Sequence, residues 1–131
     1  MGIPINHPAI AQAVVRGLIA QARPEPVAAL PPGLSEKAFQ AEVVKLAEAN
    51  GWQVYHTWDS RRSPAGFPDL VMLCGPALVF AELKVAKNTT TPAQEEWLEG
   101  LAKVPHVRVR RWRPEHWAEI CAELTAEGSA A

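Results

Sequence analysis

The chain has few cysteines, no long apolar run and almost no net charge. Its two cysteines, Cys74 and Cys121, are too few for a disulfide framework and lack the spacing of a zinc site. Buried free thiols in a reducing compartment are therefore expected. The longest apolar runs, such as Ala77 to Ala81, are far too short to span a membrane. The N-terminus also lacks the basic segment and apolar core of a signal peptide, so we expect a cytoplasmic protein without a membrane partner.

The net charge of −1 does not by itself indicate a nucleic-acid partner. The distribution of charge is more informative than its sum. The segment from Lys103 to Arg113 holds five basic residues and no acidic residue. The last helical segment is acidic, with Glu115, Glu119, Glu123 and Glu127. This pattern predicts one basic side and one acidic side.

Three parts are expected along the chain. Residues 1–33 form an arm, in which a short amphipathic helix from Pro8 to about Ala22 precedes a proline-rich linker. The apolar stripe of that helix fits packing on its own domain and packing on a second subunit equally well. Residues 34–127 form one α/β domain in the order helix, strand, hairpin, helix, strand, helix. Residues 128–131 are expected to be a frayed tail.

The most informative stretch runs from Gly66 to Lys84. It predicts two apolar strands joined by a two-residue turn. Counting outward from that turn places Asp69 opposite Glu82, with Cβ atoms about 5 Å apart on one face of the sheet. Lys84 shares this face because side chains alternate along a strand. Two carboxylates this close require a positive charge between them, so the hairpin predicts a metal site with a lysine beside it.

The predicted ligands are hard oxygen atoms without a Cys/His cluster, which indicates Mg²⁺ or Mn²⁺ rather than zinc. They are the carboxylates of Asp69 and Glu82 and the backbone carbonyl of Leu83, completed by water and a phosphate oxygen. Glu42 lies on the apolar stripe of the first domain helix and is a further candidate, through water. The alternative for Glu42 is a side chain at the edge of the stripe that reaches solvent. Such a site suits the hydrolysis of a phosphodiester. In that reaction Lys84 is expected to orient the water that attacks the phosphorus and to stabilise the negative charge that develops there.

Gln94 has a structural explanation in its local sequence. Thr91-Pro92-Ala93-Gln94 has the pattern of a capping box, with threonine as N-cap, proline at the first helical position and glutamine at the third. His56, in the middle of a predicted strand, is interpreted as structural rather than catalytic.

Basic residues on both sides of the hairpin are candidates for DNA contacts. In the flanking loops, solvated loop charge is the alternative. On the strand from His106 to Trp112, arginines alternate with valines, which fits either a DNA-facing strand or a half-exposed edge strand. The candidates are Arg61, Arg62, Lys87, Arg108 and Arg110.

An aspartate followed across a hairpin by Glu82-Leu83-Lys84 resembles the PD-(D/E)XK nuclease motif, whose first part is here Pro68-Asp69. The wider pattern is similar to the VRR-NUC (virus-type replication-repair nuclease) domain over about residues 34–113. Three runs carry this resemblance in order: Gly66-Phe67-Pro68-Asp69-Leu70, Glu82-Leu83-Lys84 and Gln94-x-x-Trp97.

The resemblance implies a restriction-endonuclease-like α/β core, with a central mixed sheet flanked by helices, and metal-dependent DNA cleavage. The active-site set that it implies is Glu42, Asp69, Glu82, Lys84 and Gln94. Small stand-alone members of the family resemble phage Holliday-junction resolvases that act as dimers. The resemblance therefore implies a homodimeric endonuclease selective for branched DNA, phage-encoded and acting in a bacterial host. A flap or nicking nuclease without junction preference, and a catalytically silent DNA-binding or assembly module, are the alternatives.

Overall fold

The computed structural model describes residues 29–58 and 62–130, in which helices alternate with strands. The predicted arm helix and Arg61 lie outside the described residues. The element order confirms the predicted helix, strand, hairpin, helix, strand, helix. The elements are α1 (Glu36–Ala49), β1 (Gln53–His56), β2 (Leu70–Cys74), β3 (Ala77–Leu83), α2 (Pro92–Ala102), β4 (Val107–Trp112), a 3-10 turn (Pro114–His116) and α3 (Trp117–Ala130).

The four strands form one mixed sheet in the order β1-β2-β3-β4. The first two pairs are antiparallel, and β3 pairs with β4 in parallel because α2 connects them. The hairpin register runs from Leu70 opposite Ala81 to Cys74 opposite Ala77, which confirms the predicted two-residue turn. Continuing this register by one residue places Asp69 opposite Glu82.

A serine cap marks the beginning of helix α1. The Ser35 hydroxyl accepts a hydrogen bond from the Ala38 backbone N–H at 3.0 Å, which satisfies one of the free donors of the first turn. The buried stripe of the helix, Phe39, Val43 and Ala47, packs into the core of the domain.

The main core lies on the face of the sheet that α1 and α3 cover. Alternate residues of β3, such as Val79 and Ala81, point into it, together with Ile120 and Leu124 of α3. The indole N–H of Trp52 donates to the Leu124 carbonyl at 2.9 Å and ties the start of β1 to α3.

Helix α2 covers the opposite face of the sheet. There Phe67 makes edge-to-face contacts with Phe80 of β3 and Trp97 of α2. The free cysteines Cys74 and Cys121 are both buried, as predicted. No helix among residues 29–58 and 62–130 is long and apolar enough to cross a membrane.

The C-terminal end of α3 differs from the sequence prediction. A frayed tail was expected from Gly128, but the helix continues to Ala130. The reason is packing, since the Cα of Gly128 lies so close to Asn50 at the end of α1 that an added Cβ would overlap the Asn50 backbone. The two helix ends support each other at this contact.

Two helical glycines should respond in opposite ways to substitution by alanine. Gly100→Ala places its methyl group in open space and should stabilise the protein by roughly 0.5–1 kcal/mol, because alanine is the better helix former. Gly128→Ala should destabilise it by about 1–3 kcal/mol through the clash with Asn50. Urea unfolding of both variants measures the difference, and equal stabilisation by the two would contradict the close packing of α1 and α3.

Candidate functional site

The hairpin brings Asp69, Glu82 and Lys84 together at the end of β3. The backbone N–H of Leu83 donates to Asp69 Oδ2 at 2.8 Å, so the aspartate carboxylate lies directly over the neighbouring strand. Lys84 Nζ is 3.3 Å from Glu82 Oε2. The three side chains that the sequence predicted to share this place are therefore neighbours.

Glu82 is the most unusual member of the group. Only 1% of its surface is exposed, and it is the one charged residue buried in the described part of the chain. Neither of its carboxylate oxygens accepts a hydrogen bond there, although the Lys84 ammonium is within ion-pair distance. Burial and the charge of Asp69 raise the pKa of Glu82 to about 7, against the opposing effect of Lys84. A buried carboxylate whose oxygens accept no hydrogen bond is unfavourable for stability, and such strongly perturbed groups are concentrated at functional sites.

The oxygen atoms of the site fit a hard divalent cation. Mg²⁺ typically binds one or two protein carboxylates and takes its other ligands from water and substrate phosphate. The free oxygens of Glu82 beside Asp69 meet this description. Within residues 29–58 and 62–130, no group of three or more His, Cys, Asp or Glu side chains converges as a closed metal cage would require. The third predicted ligand, the Leu83 carbonyl, stays a prediction.

Gly66 and Thr57 hold Asp69 in position from two sides. Gly66 has φ +94°, and a Cβ there would lie 2.5 Å from the backbone of Ala93, so only glycine lets the loop approach the start of α2 so closely. On the other side, Thr57 donates its backbone N–H to the Asp69 carbonyl and its hydroxyl to the Pro68 carbonyl, both at 2.9 Å. Gly66, Pro68 and Asp69 of the Gly-x-Pro-Asp sequence thus each make a close contact that positions the loop before β2.

A second carboxylate of α1, Glu36, is near enough to the site for Lys84 and Asp69 to affect its pKa, and the predicted role of Glu42 stays a prediction. Partial burial raises the pKa of Glu36. The positive charge of Lys84 lowers this pKa, and the negative charge of Asp69 raises it. Glu42 lies six residues further along α1, about 9 Å along the axis and about 240° around it, which directs it away from Glu36. Among the described residues it forms no ion pair with the site.

A signal for Glu36 is present in the sequence. It precedes Phe39 by three residues and Val43 by seven, which places it on the buried stripe of α1. Its position in the first turn, behind the Ser35 N-cap, also suits the positive end of the helix dipole, which is a second local explanation for a glutamate there.

Comparison with solved structures supports the same core. One structure, titled "VRR_NUC domain protein", superposes with a TM-score of 0.56 at 22% identity, covering 75% of this chain and 93% of its own. A second, titled "VRR_NUC domain", gives a TM-score of 0.53 at 23% identity, covering 67% of this chain and 94% of its own. The chain has the VRR-NUC fold. A scan against protein-family models and a search of curated proteins gave no match. The predicted restriction-endonuclease-like architecture, a mixed sheet flanked by helices, is confirmed.

Within this fold, Gln94 caps helix α2 as predicted. The side-chain amide oxygen of Gln94 accepts from the Thr91 backbone N–H at 2.8 Å, and the backbone N–H of Gln94 donates to the Thr91 hydroxyl at 3.2 Å. These two bonds form the complete capping box. Because the amide oxygen is engaged in the cap, a catalytic role for Gln94 stays a prediction.

The arginines of β4 pair with carboxylates of α3, and their predicted DNA contacts stay a prediction. Arg110 forms two hydrogen bonds with Glu123 of α3, at 2.9 and 3.0 Å. Arg108 pairs with Glu127 at 3.1 Å and lies 3.5 Å from Glu123. Their face of the sheet is the one that α3 covers, so the acidic residues of α3 neutralise them. The structure thus favours a structural role for Arg108 and Arg110 over DNA binding.

The basic residues beside Lys84 are instead Arg111 and Arg113. With Thr89 and Thr90 they line a small cleft of about 210 Å³ next to the lysine. Arg111 pairs with Glu95 at 2.7 and 2.9 Å. Arg113 donates to the backbone carbonyls of the loop after β3, at Ala86 and Asn88. These pairings brace the loop that follows Lys84.

Arg62 and Lys87, which are also predicted to contact DNA, have exposed side chains. Their positions are compatible with solvated loop charge and with phosphate contact alike, so their DNA-binding role stays a prediction.

Glu82→Gln should stabilise the metal-free protein at alkaline pH. The pKa of Glu82 rises from its ordinary 4.5 to about 7 on folding. The folded state therefore binds the proton more tightly, and stability decreases as the pH rises from about 4.5 to 7. In EDTA at pH 8, the glutamine variant should gain roughly 1–3 kcal/mol in the free energy of unfolding, and the gain should shrink toward pH 4.5.

Urea unfolding at a series of pH values measures this gain for Glu82. Glu96→Gln, at an exposed position on α2, is the matched control and should differ little from wild type across the series. A destabilised Glu82→Gln variant at pH 8 would contradict the unfavourable burial of this carboxylate.

Proposed function

We propose that the protein is a metal-dependent endodeoxyribonuclease that hydrolyses phosphodiester bonds. The observation that carries the proposal is the buried Glu82 carboxylate, which has no hydrogen-bond donor and lies beside Asp69 and Lys84. A binding module would have no need of this unfavourable arrangement. The titles of the structures with the same fold describe nuclease domains, which supports the reaction class.

Asp69, Glu82 and the Leu83 carbonyl are the proposed ligands of Mg²⁺ or Mn²⁺. When bound, such an ion supplies positive charge for the phosphoryl oxygens and lowers the pKa of a coordinated water. Asp69 is held for this task by its bond from the Leu83 N–H, so its orientation requires no rearrangement.

Lys84 orients the attacking water and stabilises the negative charge that develops on the phosphate. The water oxygen forms a new bond to phosphorus while one ester P–O bond breaks. Glu36, whose pKa burial raises, is suited to accept the proton that the water loses.

The finer proposal is a structure-selective enzyme that acts on branched DNA, in the manner of a Holliday-junction resolvase. Such an enzyme works as a homodimer, since two sites related by a two-fold axis cut two symmetric strands. The resemblance of the sequence motifs to those of VRR-NUC nucleases supports this proposal. Arg62 and Lys87 are the proposed phosphate contacts outside the metal site.

Cleavage assays test the reaction and its substrate together. We expect cleavage of DNA in Mg²⁺ or Mn²⁺ and none in EDTA, with a four-way junction preferred to a flap and to linear duplex. Asp69→Ala and Lys84→Ala should each reduce the rate by about 100-fold or more, because each removes charge aimed at the transition state. Undiminished cleavage by Asp69→Ala would refute the site.

A matched pair on α1 serves as the internal control for that assay. Glu36→Gln should slow cleavage, whereas Glu42→Gln on the same helix should not. The opposite result would restore Glu42 to the site. Sedimentation at two concentrations reports the dimer, and a monomer at both would argue against paired cutting by one particle.

A further inference from the structure

A groove of about 690 Å³ runs between the outer side of α1 and the end of β1. Lys37 and Lys45 line it from the helix, and His56 and Trp58 line it from the strand. Its volume is within the range of about 300–1,000 Å³ of pockets that hold small ligands. The mechanism proposed above does not use these side chains.

Trp58 is the feature of this groove that demands an explanation. Its side chain is 83% exposed, the highest value among the exposed large hydrophobic residues of the described chain. Trp52, Trp112 and Trp117, by contrast, are buried in the core. The ring of Trp58 lies beside that of His56, with ring centroids 4.3 Å apart and the two planes tilted by 47°. Most of a large aromatic ring is thus presented to solvent next to a second ring.

An exposed aromatic ring flanked by lysines has the chemistry of a single-stranded nucleic acid site. Unpaired bases stack on aromatic side chains, and lysines contact the phosphates of the same strand. Lys37 and Lys45 are both exposed and lie about 12 Å apart along α1. Glu48 lines the groove beyond Lys45, which marks the limit of the basic stretch.

The groove and the candidate metal site are formed in part by neighbouring residues of the chain. Lys37 directly follows Glu36, and Thr57, which lines the groove beside Trp58, donates its backbone N–H to the Asp69 carbonyl. The groove therefore lies close to the backbone of Asp69. We propose that this groove binds an unpaired segment of the DNA substrate, with a base stacked on Trp58 and phosphates on Lys37 and Lys45.

The proposal rests on the proposed nuclease function and names the part of the substrate that is read outside the metal site. Branched DNA carries unpaired or splayed nucleotides at its branch point, whereas intact duplex does not. A stacking platform next to the site therefore favours cutting near a branch without reading the base sequence.

Binding of the full chain to a fluorescein-labelled oligo(dT) of about 12 nucleotides, in EDTA, tests the groove without cleavage. Trp58→Ala should weaken binding about 5- to 100-fold, while Trp58→Phe should retain most of the affinity because a ring remains. Tyr55→Ala is the matched control, since Tyr55 is 61% exposed but projects from the opposite face of β1. Equal affinity of Trp58→Ala and wild type, or an equal loss in Tyr55→Ala, would overturn the proposal.

The salt dependence of binding tests the two lysines. Replacing both Lys37 and Lys45 by alanine should reduce the slope of log affinity against log salt by about 1.4, because each phosphate contact in a single strand contributes about 0.7. An unchanged slope would overturn their role.

Tryptophan fluorescence distinguishes an open groove from one that another segment occupies. The emission of Trp58 is obtained by subtracting the spectrum of Trp58→Phe from that of the wild type. In the free protein this emission should be that of a solvent-exposed indole that acrylamide quenches. Binding of oligo(dT) should shield it from acrylamide. Shielding of Trp58 in the free protein would overturn the proposal. Shielding independent of protein concentration would assign the groove to residues 1–28, and concentration-dependent shielding would assign it to a second copy.

Failure of this inference and failure of the proposed function give different results. If the site variants lose DNA cleavage as expected but Trp58→Ala binds oligo(dT) as tightly as the wild type, the groove proposal alone is overturned. Oligo(dT) binding that depends on Trp58 in a protein that cleaves no DNA in Mg²⁺ or Mn²⁺ would overturn the nuclease alone.

Discussion

The burial of Glu82 opposite Asp69 is the constraint on which the rest of the site depends. The hairpin register leaves no alternative placement, because a shift of one residue would move Glu82 to the other face of the sheet. The buried Glu82 carboxylate beside the charge of Asp69 destabilises the metal-free protein, and the raised pKa of Glu82 reflects that cost. Lys84 offsets only part of it, which leaves room for a cation.

The surrounding structure holds this unfavourable pair in place through backbone contacts. The close approach of Gly66 to the start of α2 joins the loop before Asp69 to the capping box of Thr91 and Gln94. Thr57 closes the other side. These contacts position the backbone of Asp69, and the hydrogen bond from the Leu83 N–H orients its carboxylate in the absence of any ligand.

Features set by neighbouring residues could be predicted from the sequence, and features set by helix placement could not. The turn between β2 and β3 determines the Asp69–Glu82 pairing, and the Thr91-x-x-Gln94 pattern determines the start of α2. Glu36 has two local explanations, so choosing it over Glu42 requires knowing where α1 crosses the hairpin. The pairing of Arg110 with Glu123 depends on α3 lying over that face of the sheet, which strand alternation alone does not reveal. The exposure of Trp58 depends on how the chain leaves the sheet after β1, which residue type alone does not reveal.

The central claim is that the pair Asp69 and Glu82 is a cation site. Titration of the DNA-free protein with Mn²⁺, followed by electron paramagnetic resonance of the free ion, tests it most directly. The account predicts saturable Mn²⁺ binding by the wild type that is lost in Asp69→Asn and in Glu82→Gln and kept in Glu42→Gln. Equal Mn²⁺ binding by the wild type and the Glu82→Gln variant would contradict it.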